Sequence, residues 1–301
     1  MKGLQAQCLT GSVLRTLAVV ALVIGALCSS VKTQSPAPAP RAATRIVSLV
    51  PSVTEMLFAI GAGSRVIAVS SFDHFPAEVE TLPRVGALLD PDTERILSLK
   101  PDLVVTYGSQ TELDVALHRA GIRTYSYRHG GVDGTLKTMR ELGPLTGSEA
   151  GANAAAATVQ ARLDAVRRRV AGRDRPRTLL VFGREHGTLR SIYVAGGVGF
   201  MHDLLTIAGA TNVFADFKRE SAQPSKELLL VRKPDVVLEV QGTQATADAS
   251  DAIKSWAALG SVPAVRNRRV QAIAGAFLVV PGPRLGEAAE TIARAIHPDA
   301  F

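Results

Sequence analysis

The sequence predicts an α/β fold: two Rossmann-like α/β lobes with mainly parallel sheets, joined by one long interlobe helix. Three observations carry the prediction. Short apolar runs alternate with helix-like stretches along most of the chain, a long proline-free segment lies at its middle, and the two halves echo each other. The 301 residues suffice for two cores, and 47% hydrophobic against 20% charged residues excludes a disordered chain.

Residues 1–30 read as a signal peptide. Lys2 and Arg15 precede the apolar run Leu17 to Cys28, whose 12 residues match the core of a secretory leader. That run is shorter than the roughly 20 residues that cross a bilayer. Bulky Leu27 stands where a lipid-modified cysteine at Cys28 wants a small neighbour. Residues 31–44, rich in proline and alanine, form an extended linker. The chain is therefore expected in the periplasm or on the outer face of the cytoplasmic membrane. Cys8 and Cys28 both fall within the leader, so no disulfide, zinc or redox site built on cysteine is expected beyond it.

Residues 45–145 form the N-terminal lobe. RIVSLV, RVIAVS, DLVVTY and IRTYSY read as buried strands, and SVTEMLFAIG and TELDVALHRAG as helices closed by glycine. Residues 146–173 form the interlobe helix. Ser148 to Ala171 lacks proline and places Val159, Leu163, Val166 and Val170 at helical spacing. A helix of about 24 residues is about 36 Å long, more than a connector inside one small domain needs. Residues 174–301 form the C-terminal lobe, with strands in RTLLVFG, PDVVLEV and RRVQAIAG and a last helix over Pro283 to His297.

LFAIGAG at 57–63 echoes LLTIAGA at 204–210, and ERILSLKPDLVV at 94–105 echoes ELLLVRKPDVVL at 227–238. Glu94 and Glu227 each stand six residues before a Lys-Pro-Asp, which makes the lobes pseudo-twofold copies. The net charge of +7 is scattered, with no basic block interleaved with aromatics, so nucleic acid is not an expected partner. Ser52, His186 and Asp73 supply a nominal nucleophile, base and orienter. No G-x-S-x-G, P-loop or H-E-x-x-H pattern surrounds them, and GAGS at 61–64 and GGVG at 196–199 lack dinucleotide-site spacing. No enzyme and no catalytic residue is predicted.

The segment RIVSLVPSVTEMLFAIGAGSRVIAVSSFDHFPAEVETLPRVG, then ERILSLKPDLVV, the long helix and GREHGTLRSIYVAGGVGFMHDLLTIAGATNVFADF, resembles the helical-backbone periplasmic binding proteins over residues 45 to 297. These are the ABC-importer receptors for cobalamin, ferric siderophores and haem, and SSFDHFP is most similar to the cobalamin type. The resemblance implies a monomeric receptor that captures a metal chelate, with no intrinsic cofactor, and delivers it to a dimeric ABC permease. It also implies that Glu94 and Glu227 dock into arginine pockets of the two permease subunits, one per lobe.

In parallel α/β sheets the ligand crevice lies beyond the carboxyl ends of the strands. Reading those ends nominates Ser52, Phe72, His74, Tyr107, Arg128, Arg184, His186, Gln241, Phe277 and Arg284. Phe72, Tyr107 and Phe277 offer faces for a flat macrocycle, and the three arginines offer charge to carboxylate, phosphate or catecholate oxygens. The resemblance to haem receptors marks Tyr107, His74 and His186 as axial-ligand types. Trp256, the only tryptophan, falls on a predicted helix far from the strand ends. Two alternatives stand beside the chelate receptor. One is a direct metal-ion receptor using His74, His129, His186 and Asp73 or Glu185, without the short spacing of a ligand set. The other is an envelope scaffold using the same fold.

Overall fold

β-branched runs lie side by side in each half of the chain, and a computed structural model describes them over residues 41–242 and 249–301. The expected signal peptide and most of the linker lie outside the described residues. Within those residues no helix is long and apolar enough to cross a membrane.

The first half runs β1 (Ile46–Ser48), α1 (Pro51–Ala59), β2 (Val66–Val69), α2 (Thr93–Ser98), β3 (Leu103–Tyr107), α3 (Thr111–Arg119), β4 (Arg123–Tyr127) and α4 (Gly131–Thr146). Its four strands are all parallel, in the order β2-β1-β3-β4. Helix α5 (Glu149–Arg169) follows. The second half runs β5 (Arg177–Gly183), β6 (Tyr193–Ala195), α6 (Phe200–Ile207), β7 (Thr211–Asn212), β8 (Ser221–Ala222), α7 (Lys226–Arg232), β9 (Val236–Gln241), α8 (Ala249–Trp256), α9 (Pro263–Arg266), β10 (Val270–Ala274) and α10 (Leu285–Ile296). Here the order is β10-β9-β5-β6-β8, with β7 also parallel to β5. β6 and β8 run antiparallel. At three and two residues they are too short to leave an apolar run in the sequence.

Helix α5 has 21 residues and is about 32 Å long. Val159, Leu163 and Val166 are buried on its inner face, in one core with Met139 and Leu142 of α4, Leu204 of α6 and Ile292 of α10. The change of composition at Pro144 does not end α4. Pro144 lies inside its last turn, and the stop is Gly147 at φ 63°.

The internal repeat is built into the hydrogen bonding. Asp102 accepts from the amides of Thr44 and Arg45 at 2.9 and 3.0 Å, and Asp235 accepts from the amide of Arg177 at 3.0 Å. The Arg45 guanidinium caps the end of α2 at the Leu99 carbonyl, 2.7 Å away, as that of Arg177 caps α7 at the Arg232 carbonyl, 2.6 Å away. Lys100 and Lys233, at φ 47° and 46°, make the same left-handed turn between helix and strand. The other echo holds with its register moved by one residue. Gly61 and Gly209 are the matched left-handed stops, and the amides of Ala62 and Ala210 bond to the carbonyls of Leu57 and Leu205.

Candidate ligand-binding cleft

The loop after β2 is held from within. Asp73 Oδ2 accepts from the Ser70 amide and hydroxyl at 2.9 and 2.5 Å, and Arg84 grips the carbonyls of Ser70 and Asp73. Burial raises the Asp73 carboxyl above its ordinary pKa against these hydrogen bonds. The anchored loop turns Phe72 outward, 70% exposed. Gln110 performs a similar task at the end of β3. Its side chain accepts from the Tyr107 amide at 2.8 Å and donates to the Leu88 carbonyl at 3.1 Å. A cavity of about 400 Å³ results, lined by Leu49, Pro51, Phe72, Leu88, Leu89 and Tyr107 among others.

A second cavity, of about 250 Å³, brings His129 from the end of β4 against Phe182, Phe200, Met201, Glu220 and Val279 of the other half. Its C-terminal wall depends on the GGVG segment. A Cβ at Gly196 would stand 2.0 Å from the Arg219 carbonyl oxygen, so only glycine lets the two segments meet and leaves Phe200 and Met201 at the cavity. The two cavities are joined by aromatic rings. Tyr107 and Tyr127 are 6.4 Å apart and edge-on, and Tyr127 and His129 are 5.1 Å apart. The Tyr127 hydroxyl lies 3.3 Å from His129 Nδ1. Burial pushes the Tyr127 phenol up to about 12, and burial with the nearby Asp73 raises that of Tyr107. Both rings are therefore neutral near pH 7.

Of the residues nominated from sequence, Phe72 and Tyr107 line the first cavity. Ser52 is buried. Arg128 is exposed beside Gly108, and Gln241 ends β9 with its carbonyl taking the Gly275 amide. Phe277 is partly buried against the large core, 5.7 Å from the Arg284 guanidinium. For three further nominated residues the structure shows which carboxylates hold the charge. His74 points to solvent and pairs with Glu80 at 3.0 Å. Arg184 turns inward, 6% exposed, onto Glu239 and Asp251. Arg284 is committed to Glu55 at 2.6 and 2.9 Å and covers the Phe75 ring at 3.9 Å. His186 is 82% exposed and 3.5 Å from Asp251.

The placement of Trp256 is corrected. It is fully buried, and its indole N–H donates to Glu239 near the end of β9, so it completes the Arg184 network and lies near a strand end. The lining residues that the strand-end reading missed are Leu88, Leu89, Phe200 and Met201. The available signal was the apolar pair Leu88-Leu89 set between Gly86 and Asp90-Pro91, and the structure leaves Leu89 93% exposed. Among the described residues no group of three His, Cys, Asp or Glu side chains is placed to hold a metal ion. The histidines of the direct-metal alternative do not form such a set.

Glu94 and Glu227 are both the second residue of their helices, α2 and α7, and both are exposed. Each follows a capping side chain by two residues. Asp92 accepts from the Arg95 amide and Ser225 from the Leu228 amide. The Glu227 amide and the Ser225 hydroxyl hold the Glu227 carboxyl below its ordinary pKa, so it is ionised at neutral pH.

Comparison with known proteins gives a consistent result. A family model described as "Periplasmic binding protein" matches residues 46–275. The vitamin B12-binding protein of Yersinia pestis is 30% identical over 211 residues, which cover 69% of this chain and 73% of that one. The periplasmic vitamin B12 binding protein of Vibrio cholerae superposes with a TM-score of 0.73 at 25% identity, over 86% of this chain and 98% of the other. A periplasmic heme binding protein from Pseudomonas aeruginosa superposes with the same TM-score and identity, over 86% and 94%.

Proposed function

The chain belongs to the periplasmic binding protein family, the extracytoplasmic solute-binding components of ABC importers, and from that membership we propose that it captures a cobalamin-type corrinoid between its lobes. The observation that carries the ligand class is the continuous aromatic path Tyr107–Tyr127–His129 joining two largely apolar cavities, with Phe72 at its rim. A broad, flat, neutral-faced ligand suits such a surface better than a small hydrated ion. Capture and delivery require no covalent step, so the function is binding, modest closure and docking. Docking is assigned to Glu94 and Glu227, each meeting one subunit of a dimeric permease, with the receptor acting as a monomer.

Haem is the second reading, and His129 favours it. Its Nδ1 faces the Tyr127 hydroxyl, so Nε2 is the ring nitrogen left for an iron at the cavity wall. Calorimetric titration of the purified chain with cyanocobalamin, hemin and a ferric siderophore in parallel separates the readings. One-to-one binding of cyanocobalamin at micromolar affinity or tighter establishes the corrinoid. Binding of hemin, with a Soret band altered by His129→Ala, establishes haem instead. No binding of any of the three refutes the chelate class.

A further inference from the structure

Two of the polar side-chain contacts among the described residues cross directly from one lobe to the other. Helix α4 begins at Gly130-Gly131, which have no side chains to cap it, and the amide of Val132 is taken by Asp203 Oδ2 at 2.8 Å from the first turn of α6. Gly131 has φ 66°, and a Cβ there would stand 2.5 Å from the same carboxylate oxygen. The glycine therefore makes the turn and admits a cap from the opposite lobe. The second contact is the pair of Arg284, just before α10, with Glu55 of α1, whose side chain is 4% exposed. Gly282 brings its backbone within reach of the same carboxylate, with a Cβ position 3.2 Å from Glu55 Oε2. The Arg284 guanidinium also lies over Phe75 of the first lobe.

Both contacts border the cleft. His129 and Gly199, next to the Asp203 contact in sequence, line one cavity, and Pro51 in the helix of Glu55 lines the other. The lobes share one apolar core along α5, whose non-directional contacts allow several neighbouring angles, whereas directed polar attachments away from the helix axis select one. Opening at Glu55 would also strand a buried carboxylate from its partner.

We propose that Asp203 on the α4 terminus and Arg284 on Glu55 form a two-point clamp that fixes the interlobe angle, which makes Asp203, Glu55 and Arg284 positioning residues for ligand capture. The affinity consequence rests on the receptor reading; the angle does not. The test uses the full chain with Cys8→Ser and Cys28→Ser, and spin labels at Ser98→Cys on α2 and Lys226→Cys on α7. Pulsed dipolar spectroscopy of the unliganded protein then reads the interlobe distance.

Asp203→Leu combined with Glu55→Leu, which removes both acceptors, is expected to broaden the distance distribution, while Asp203→Asn, which keeps an acceptor, leaves it narrow. Affinity for whichever of cyanocobalamin or hemin binds the parent chain should fall about tenfold, as the competent fraction falls to about a tenth. A narrow distribution in the folded double variant, or equal broadening in Asp203→Asn, overturns the clamp. Should the double variant fail to fold, Arg284→Met, which removes the donor of the second contact, decides by the same distance reading. If the parent chain binds neither probe, the distances still judge the clamp, and only the receptor reading fails.

Discussion

With 6% of its side chain exposed and two carboxylates upon it, Arg184 also donates to the carbonyls of Glu185 and Thr188 and so ties down the loop after β5. Arg184→Ala would leave Glu239 buried without its ion-pair partner, and a loss of about 3–4 kcal/mol is expected, measured by urea denaturation. Asp73 carries a different electrostatic signature. Because burial raises its folded pKa above 3.8, the proton is held more tightly in the folded chain. Its contribution to stability is full below the ordinary pKa and is lost as pH rises through the raised value. Asp73→Asn, neutral throughout, is expected to flatten that part of the stability curve in denaturant titrations between about pH 3.5 and 7. An unchanged slope would refute the assignment. The same distinction decides what was legible at this scale. Phe72 and Tyr107 were readable because an aromatic at a strand end faces the crevice whatever lies elsewhere. The fates of Arg184 and Arg284 were not, because Glu239, Asp251 and Glu55 lie 55, 67 and 229 residues away.

Strands and helices were legible where an apolar period repeated, as in β1, β3, β5, β9 and α5. β6 and β8 were not, since two or three residues carry no period and owe their pairing to neighbouring strands. Helix α4 runs through Pro144 at the cost of the bond its missing N–H would make four residues back, and the Gly147 stop follows within one turn. The duplicated Lys-Pro-Asp turn is an element with a measurable share of stability. Asp102→Ala and Asp235→Ala should each cost about 1 kcal/mol, at the low end for charged acceptors because both carboxylates are partly solvated. Being in different lobes with no shared partner, the two costs should add within about 0.5 kcal/mol in the double variant. Burial acts against the ionised Asp102, but the hydrogen bonds from Thr44 and Arg45 outweigh it and lower its pKa. Its contribution is therefore present above pH 3.8 and is lost as pH falls through the folded value, opposite in sign to Asp73.

For the whole molecule, a helix of about 32 Å packed in one core with helices of both halves predicts little rotation on ligand binding. Small-angle scattering of the free and ligand-saturated chain should show nearly superimposable profiles, and a large domain rotation would contradict this. Docking is tested at the same scale. Glu94→Arg with Glu227→Arg should abolish ATP-driven uptake with a reconstituted cognate permease while leaving ligand affinity unchanged, and intact transport would refute the assignment. The matched turns behind those glutamates have one more consequence. Lys100 with Asp102 and Lys233 with Asp235 are the same part used twice, down to an unusual backbone angle and an arginine on the preceding helix end. A chain that arose by copying one half of itself would inherit two equivalent plugs for a two-socket partner, with no need to invent the second.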